Sequence, residues 1–212
     1  MPRGSREAAA LTRASVLDRA AALGSVEGLE VLSIGRLADQ LGLSKSGVIG
    51  HFGSKEQLQL AAVEVGIARF RKEVWEPVAR SEPGLTRLRL LAEAWLSYLE
   101  RDVFPGGCFL TAASLEFDDR PGVVRDAIAS AWRQWLDLIE HDAATAQARG
   151  ELAATDLTPS QIAFQLHGYV FAANWARRLW RAPDAIDEIR KAVARLLAPA
   201  GPSQGLGESG DE

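Results

Sequence analysis

Residues 33–60 read SIGRLADQLGLSKSGVIGHFGSKEQLQL, and the punctuation of this stretch decides the fold. Ser33, Ser44 and Ser54 each stand just ahead of an apolar-periodic segment. A serine there accepts a bond from the free N–H groups of a helix start, so three helices are predicted. The third is the best marked: Ser54 and Gln57 have capping-box spacing and Gly53 breaks the chain before them. It is expected to run to Trp75, where Pro77 stops it. Two short helices that cross steeply need a small residue at the crossing, a glycine in the turn and apolar residues on either side. Ala38, Gly42 and the set Leu37, Leu41, Leu43 and Val48 meet those needs.

Working outward, alanine and leucine dominate, apolar residues recur at three- and four-residue spacing, and no stretch alternates with period two. The chain is therefore predicted to be all-α. A first helix is expected over 5–23, with Leu11, Ala14, Leu17 and Ala21 on one face and Gly24 as its left-handed cap. Further helices are expected over 85–101, 108–117, 121–149, 158–181 and 183–198. The first turn of the 121–149 helix would hold Pro121. Residues 199–212, glycine-rich and acidic at the end, have the composition of a disordered tail. The organisation expected is an N-terminal unit over 1–55, a larger helical unit over 56–198, and the tail.

Composition narrows the function. A single cysteine, Cys108, permits no intrachain disulfide and no cysteine cluster for a metal, which suits a cytoplasmic protein. No export segment is recognisable at the start. The longest charge-free run, 157–176, holds too many polar groups for a lipid-facing span and is expected to be a helix buried in protein. The formal net charge of −4 argues against nucleic-acid binding, yet residues 1–55 carry seven Lys/Arg against five Asp/Glu. Any polyanion-binding surface therefore belongs near the N-terminus.

A unit of two crossed helices can lay its second helix in the DNA major groove, and here that helix is 45–51. An ordinary helical hairpin has similar spacings. Lys45, Ser46 and Ile49 are the candidate base contacts, a cation for guanine, a hydroxyl, and an apolar group for the thymine methyl. Ser33, Arg36, Ser44, His51 and Lys55 are the candidate phosphate contacts, although each serine also serves as a cap. Lys55, at a helix N-terminus, makes sense chiefly with an anion beside it. Gly47 and Gly50 cost a helix stability; they either let the backbone approach DNA or relieve crowding against the neighbouring helix. Arg3 and Arg6 are either a minor-groove arm or a solvated terminus.

The run LADQLGLSKSGVIGHFGSKEQLQLA at 37–61, within a segment from Arg13 to Ala62, resembles the DNA-binding signature of the tetracycline-repressor family of bacterial transcription regulators. One departure is Ile49, where that family usually carries tyrosine. The segment GGCFLTAASLEFDDRPG at 106–122 is similar to one found in a group of such regulators. The resemblance implies that the first three helices and the start of the fourth bind an operator in double-stranded DNA. It also implies that the remainder binds a small-molecule effector, and that the last two helices pair with those of a second subunit in a homodimer. A repressor of this kind leaves its operator when the effector binds.

Aromatic residues concentrate beyond residue 70, as either an apolar cavity or plain core. The pocket candidates are Phe70, Trp95, Phe109, Trp132, Trp135 and Phe171, with Thr111, His167 and Asn174 as polar contacts, and the ligand expected is mainly apolar. Cys108 is either a redox sensor or an inert buried filler. His141 and His167 lack metal-ligand spacing, and no cofactor fingerprint or catalytic motif is present, so neither a cofactor nor an enzyme is expected. Glu116, Asp118 and Asp119, ahead of Pro121, read as acids at a helix start rather than as an acid and base pair. The alternative to a regulator is a helical small-molecule-binding protein without sequence-specific DNA binding.

Overall fold

Helix starts fall where the serines put them. The computed structural model describes residues 3–153 and 155–201, with the side chains of 3–6 excepted. Ser33, Ser44 and Ser54 cap α2 (Ile34–Leu41), α3 (Lys45–Phe52) and α4 (Lys55–Phe70), their hydroxyls accepting from Arg36, Gly47 and Gln57 N–H. Gly42, at φ 64°, closes α2 in the left-handed conformation the turn requires. A π-helical turn over Arg71–Trp75 extends α4 to Trp75, as expected. Then follow α5 (Leu85–Glu100), α6 (Phe109–Phe117), α7 (Val123–Ala148), α8 (Pro159–Trp175) and α9 (Ala185–Leu196). Thr158 and Gln161 form a full capping box at the start of α8, and a second π-helical turn, Ala176–Trp180, ends it. The chain is all-α, with no sheet among the described residues.

Three expectations are corrected. The first helix, α1, runs Arg3–Glu27, straight through Gly24, and the left-handed glycine after it is Gly28 at φ 88°. Gly24 is needed for space instead: a Cβ there would stand 3.0 Å from Leu29 and 3.2 Å from the Phe109 ring. The buried face of α1 is Val16, Leu17, Ala20 and Ala21, while Leu11 and Ala14 are exposed. Pro121 lies outside α7, which starts at Val123 behind Gly122. The charge-free helix α8 is buried on one side only, with Phe164, Gly168, Ala172 and Trp175 exposed. The tail residues 202–212 and the side chains of Arg3 and Arg6 lie outside the described residues.

The core joins α4, α5, α7 and α8 through apolar side chains and one ion pair. Arg87 on α5 grips Asp142 on α7 with two bonds, Nε to Oδ2 at 2.9 Å and NH2 to Oδ1 at 2.6 Å. Asp142 is 0% exposed, and the Arg87 guanidinium also lies over the Trp75 ring at 5.3 Å. Removing one partner of such a pair strands the other's charge in the core. Asp142→Ala is therefore expected to cost roughly 3–5 kcal/mol, read as a lower midpoint in chemical denaturation. A midpoint unchanged from wild type contradicts this role.

Candidate nucleic-acid interface and ligand cleft

The helix α3 packs on α1, α2 and α4 through Val48 and Phe52, which are buried with Leu37 and Ala38 of α2. Lys45, Ser46, Gly47 and Gly50 are exposed, and Ile49 is 47% exposed, a branched apolar side chain held in solvent. A Cβ on Gly50 would meet nothing within 4 Å, so crowding does not explain that glycine. On Gly47 it would meet only the capping hydroxyl of Ser44, at 3.0 Å. The Lys45 stem folds over α2, where a Cβ on Gly35 would stand 3.1 Å from its Cε. His51 is half-buried at the end of α3 beside Phe52.

Two of the expected phosphate contacts already hold carboxylates of their own chain. Arg36 makes two bonds to Glu27, at 2.5 and 2.6 Å, which hold the Glu27 carboxyl below the usual carboxylate range. Lys55 reaches the Glu30 carboxylate at 2.6 Å and its carbonyl oxygen at 2.5 Å, and this ammonium likewise lowers the Glu30 carboxyl. The anion that the position of Lys55 called for is thus Glu30.

Glu116 was missed as a functional residue. It sits in the last turn of α6, not at a helix start, and its carboxylate accepts the backbone N–H of Leu29 at 2.6 Å and of Glu30 at 2.7 Å. Around the same turn, Gln59 on α4 donates to the Leu29 carbonyl oxygen at 2.9 Å, and Arg120 pairs with Glu30 at 3.3 Å. At the start of α6, about two turns before Glu116, Phe109 packs so closely on α4 that a Cβ on Gly66 would stand 2.3 Å from its ring. The helix α6 therefore grips both α1 and α4, the helices that carry α2 and α3.

A cleft of about 280 Å³ opens between α4 and α7, with Phe70, Trp75, Leu110, Trp132 and Trp135 among its walls. Of the nine expected pocket residues, Phe70, Trp132 and Trp135 line the cleft, and Trp95, His167 and Phe171 do not line it but join them in one aromatic cluster, with Phe70 and Trp135 centroids 4.9 Å apart and Trp132 and His167 4.7 Å apart. Burial lowers the His167 pKa and favours the neutral ring. The other three are placed elsewhere: Phe109 is the wedge on α1 and α4, Thr111 is buried beside Cys108, and the Asn174 carbonyl oxygen accepts the Cys108 N–H at 3.0 Å. Cys108 is buried and its thiol pushed up in pKa, as an inert filler requires. Ile67, Arg71, Trp75, Leu110 and Leu138, also in the walls, and Tyr98, edge-on to Phe70 at 5.6 Å, were not anticipated. Three-residue spacing from Phe70, Trp95 and Trp135 is the signal that could have found Ile67, Tyr98 and Leu138; no such signal marks Arg71.

A model of the tetR family of bacterial regulatory proteins matches residues 16–62. A model of the tetracyclin repressor-like C-terminal domain matches residues 84–193, more than half of the chain. The chain belongs to the tetR family. It is a ligand-responsive, DNA-binding transcriptional regulator with an N-terminal DNA-binding domain and a C-terminal helical domain. A TetR regulator from Chloroflexus aurantiacus has a TM-score of 0.80 and 26% identity, over 89% of this chain and 94% of that one. A TetR-family regulator from Cytophaga hutchinsonii has a TM-score of 0.77 and 21% identity, over 90% and 94%. AibR, solved with isovaleryl coenzyme A and operator DNA, has a TM-score of 0.72 and 24% identity, over 88% and 98%. No curated protein matches the chain in sequence. No helix among the described residues is long and apolar enough to cross a membrane.

The open setting of Gly50 separates stability from DNA contact in this tetR-family chain. Gly50→Ala is expected to stabilise the fold by up to about 1 kcal/mol, because alanine is the better helix former and nothing stands in its way. The same methyl group blocks close approach of the backbone, so DNA affinity is expected to fall. Thermal melting and a DNA-binding titration read the two effects; an affinity unchanged from wild type rules out close approach at Gly50.

Proposed function

We propose that the protein is a homodimeric repressor that holds a palindromic operator through α3 and leaves it when a small, mainly apolar molecule enters the cleft between α4 and α7. The observation that carries this reading is α6, which lines the cleft with Leu110 while its neighbours Phe109 and Glu116 grip the helices that bear α3. An occupant that moves α6 moves the DNA-reading head with it. A ligand changes DNA affinity by the difference in its binding to the two arrangements. The AibR complex with an acyl coenzyme A and operator DNA is a relative with both partners, which supports the same pairing here.

In this reading Lys45, Ser46 and Ile49 face base edges, and Ser33, Arg36, Ser44, His51 and Lys55 face phosphates, with Arg36 and Lys55 exchanging carboxylate for phosphate on contact. The units are 1–55 for DNA and 56–198 for ligand and dimer, and the site of action is the cytoplasm. The protein has no catalytic chemistry of its own in this account.

The dimer is supported by α8. Its exposed residues Phe164, Gly168, Ala172 and Trp175 follow helical spacing, and Phe164 is 68% exposed. Such a stripe marks a protein–protein contact, with Gly168 and Ala172 allowing backbones to approach. The open face of α9, with Asp187, Glu188, Lys191 and Arg195, is charged and suits a rim. Two α3 helices joined this way reach successive major grooves when their centres are about 34 to 36 Å apart.

Selection from a random duplex DNA library is expected to enrich an inverted repeat, with affinity falling steeply as salt rises. Failure to enrich any sequence, with the protein folded and dimeric, moves the assignment to a helical small-molecule-binding protein. Phe164→Glu is expected to dissociate the dimer in sedimentation equilibrium and to weaken binding to the full repeat. A variant that remains dimeric removes α8 from the interface.

A further inference from the structure

Resting on the reading of the cleft as an effector site, we propose that its occupant is a small organic carboxylate with an aromatic or branched apolar body. Two independent features of the site point there. The first is its hydrogen-bonding inventory. The indole nitrogens of Trp132 and Trp135, both in the cleft's walls, are buried and have no partner among the described residues. An indole N–H is a donor only, so what satisfies it is an acceptor. Donors buried without partners are costly, and two on rings that wall the cleft call for an acceptor-bearing partner.

The second is charge. Arg71 is the one charged residue among the cleft's described walls, and no Asp or Glu lines it. Neighbouring cations are matched, Arg69 with Asp18 at 3.0 Å and Arg101 with Glu73 at 2.7 Å, whereas Arg71 belongs to neither pair. Arg71 and Trp75 begin and end the π-helical turn that extends α4, and both line the cleft. π-Helical turns of this kind recur at functional sites. The guanidinium fork matches a carboxylate with two parallel bonds, while the apolar body of the ligand rests on Ile67, Leu138 and the tryptophan rings. A cationic ligand finds aromatic faces here, but also a positive charge at the wall and no carboxylate to balance its own.

The test compares three probes with one body: 4-phenylbutyrate, 4-phenylbutanamide and 4-phenylbutylamine. Binding is read by calorimetry and by tryptophan fluorescence. The carboxylate is expected to bind tightest, roughly tenfold or more above the amine. Arg71→Ala is expected to remove that preference, and Arg71→Glu to reverse it in favour of the amine. Arg71 is exposed, so both variants are expected to keep wild-type helicity by circular dichroism. Trp132→Phe, which keeps a ring and deletes one donor, is expected to weaken the carboxylate and amide by a larger factor than the amine.

Preference of the wild type for the amine, equal binding of all three probes, binding of none, or a carboxylate preference that survives Arg71→Glu each overturns the proposal. These failures are separate from failure of the regulator reading. Carboxylate binding that leaves the complex with the selected inverted repeat intact supports the ligand class and removes the cleft as the site of release.

Discussion

The structure turns on two hydrogen bonds from a peptide turn to one carboxylate. When α1 ends at Glu27, the chain must reverse before α2, and the N–H groups of Leu29 and Glu30 are left without helical partners. Glu116 of α6 takes both. Gly28 makes the approach possible twice over: its φ of 88° suits glycine, and a Cβ would stand 3.0 Å from both carboxylate oxygens. The same turn then gathers Gln59, Lys55 and Arg120 through the Leu29 carbonyl and the Glu30 carboxylate. Helices α4 and α6 thus meet at one polar joint on the turn between α1 and α2, and α3 packs on α1, α2 and α4.

That joint gives a concrete route from cleft to DNA. Leu110 lines the cleft, Phe109 beside it fills the space that Gly24 and Gly66 leave open, and Glu116 lies less than two turns further along α6. Close packing leaves these contacts few intermediate positions, so a shift of α6 is passed on as a rigid displacement rather than absorbed. The buried Arg87–Asp142 pair holds α5 to α7, with its guanidinium over Trp75, and in the proposed release it is the fixed frame against which α6 would move.

Local signals were the legible ones. The serine caps and Gly42 act within four residues of chain, so sequence shows them directly. Two glycines lie within five residues at the end of α1, and a cap signal alone does not choose between them; the choice of Gly28 rests on Phe109 and Glu116, far along the chain. The same distance hid the role of Glu116, whose partners lie 86 and 87 residues away. The site's aromatic members were readable from helical spacing, but spacing did not distinguish Phe109, which is a wedge, from Trp132, which is a wall. Nor did scarcity of charge separate a buried α8 from one that leaves Phe164 and Trp175 exposed, because both make the same composition.

Amide hydrogen exchange at Leu29 and Glu30 tests the central claim most directly. If Glu116 holds the turn, both amides exchange slowly in the wild type, with protection near that of the flanking helices, and Glu116→Gln, whose amide offers one acceptor oxygen instead of two, exposes at least one of them by an order of magnitude or more while α5 and α7 keep their protection. Wild-type exchange at both positions as fast as in an open turn would show that no such joint exists.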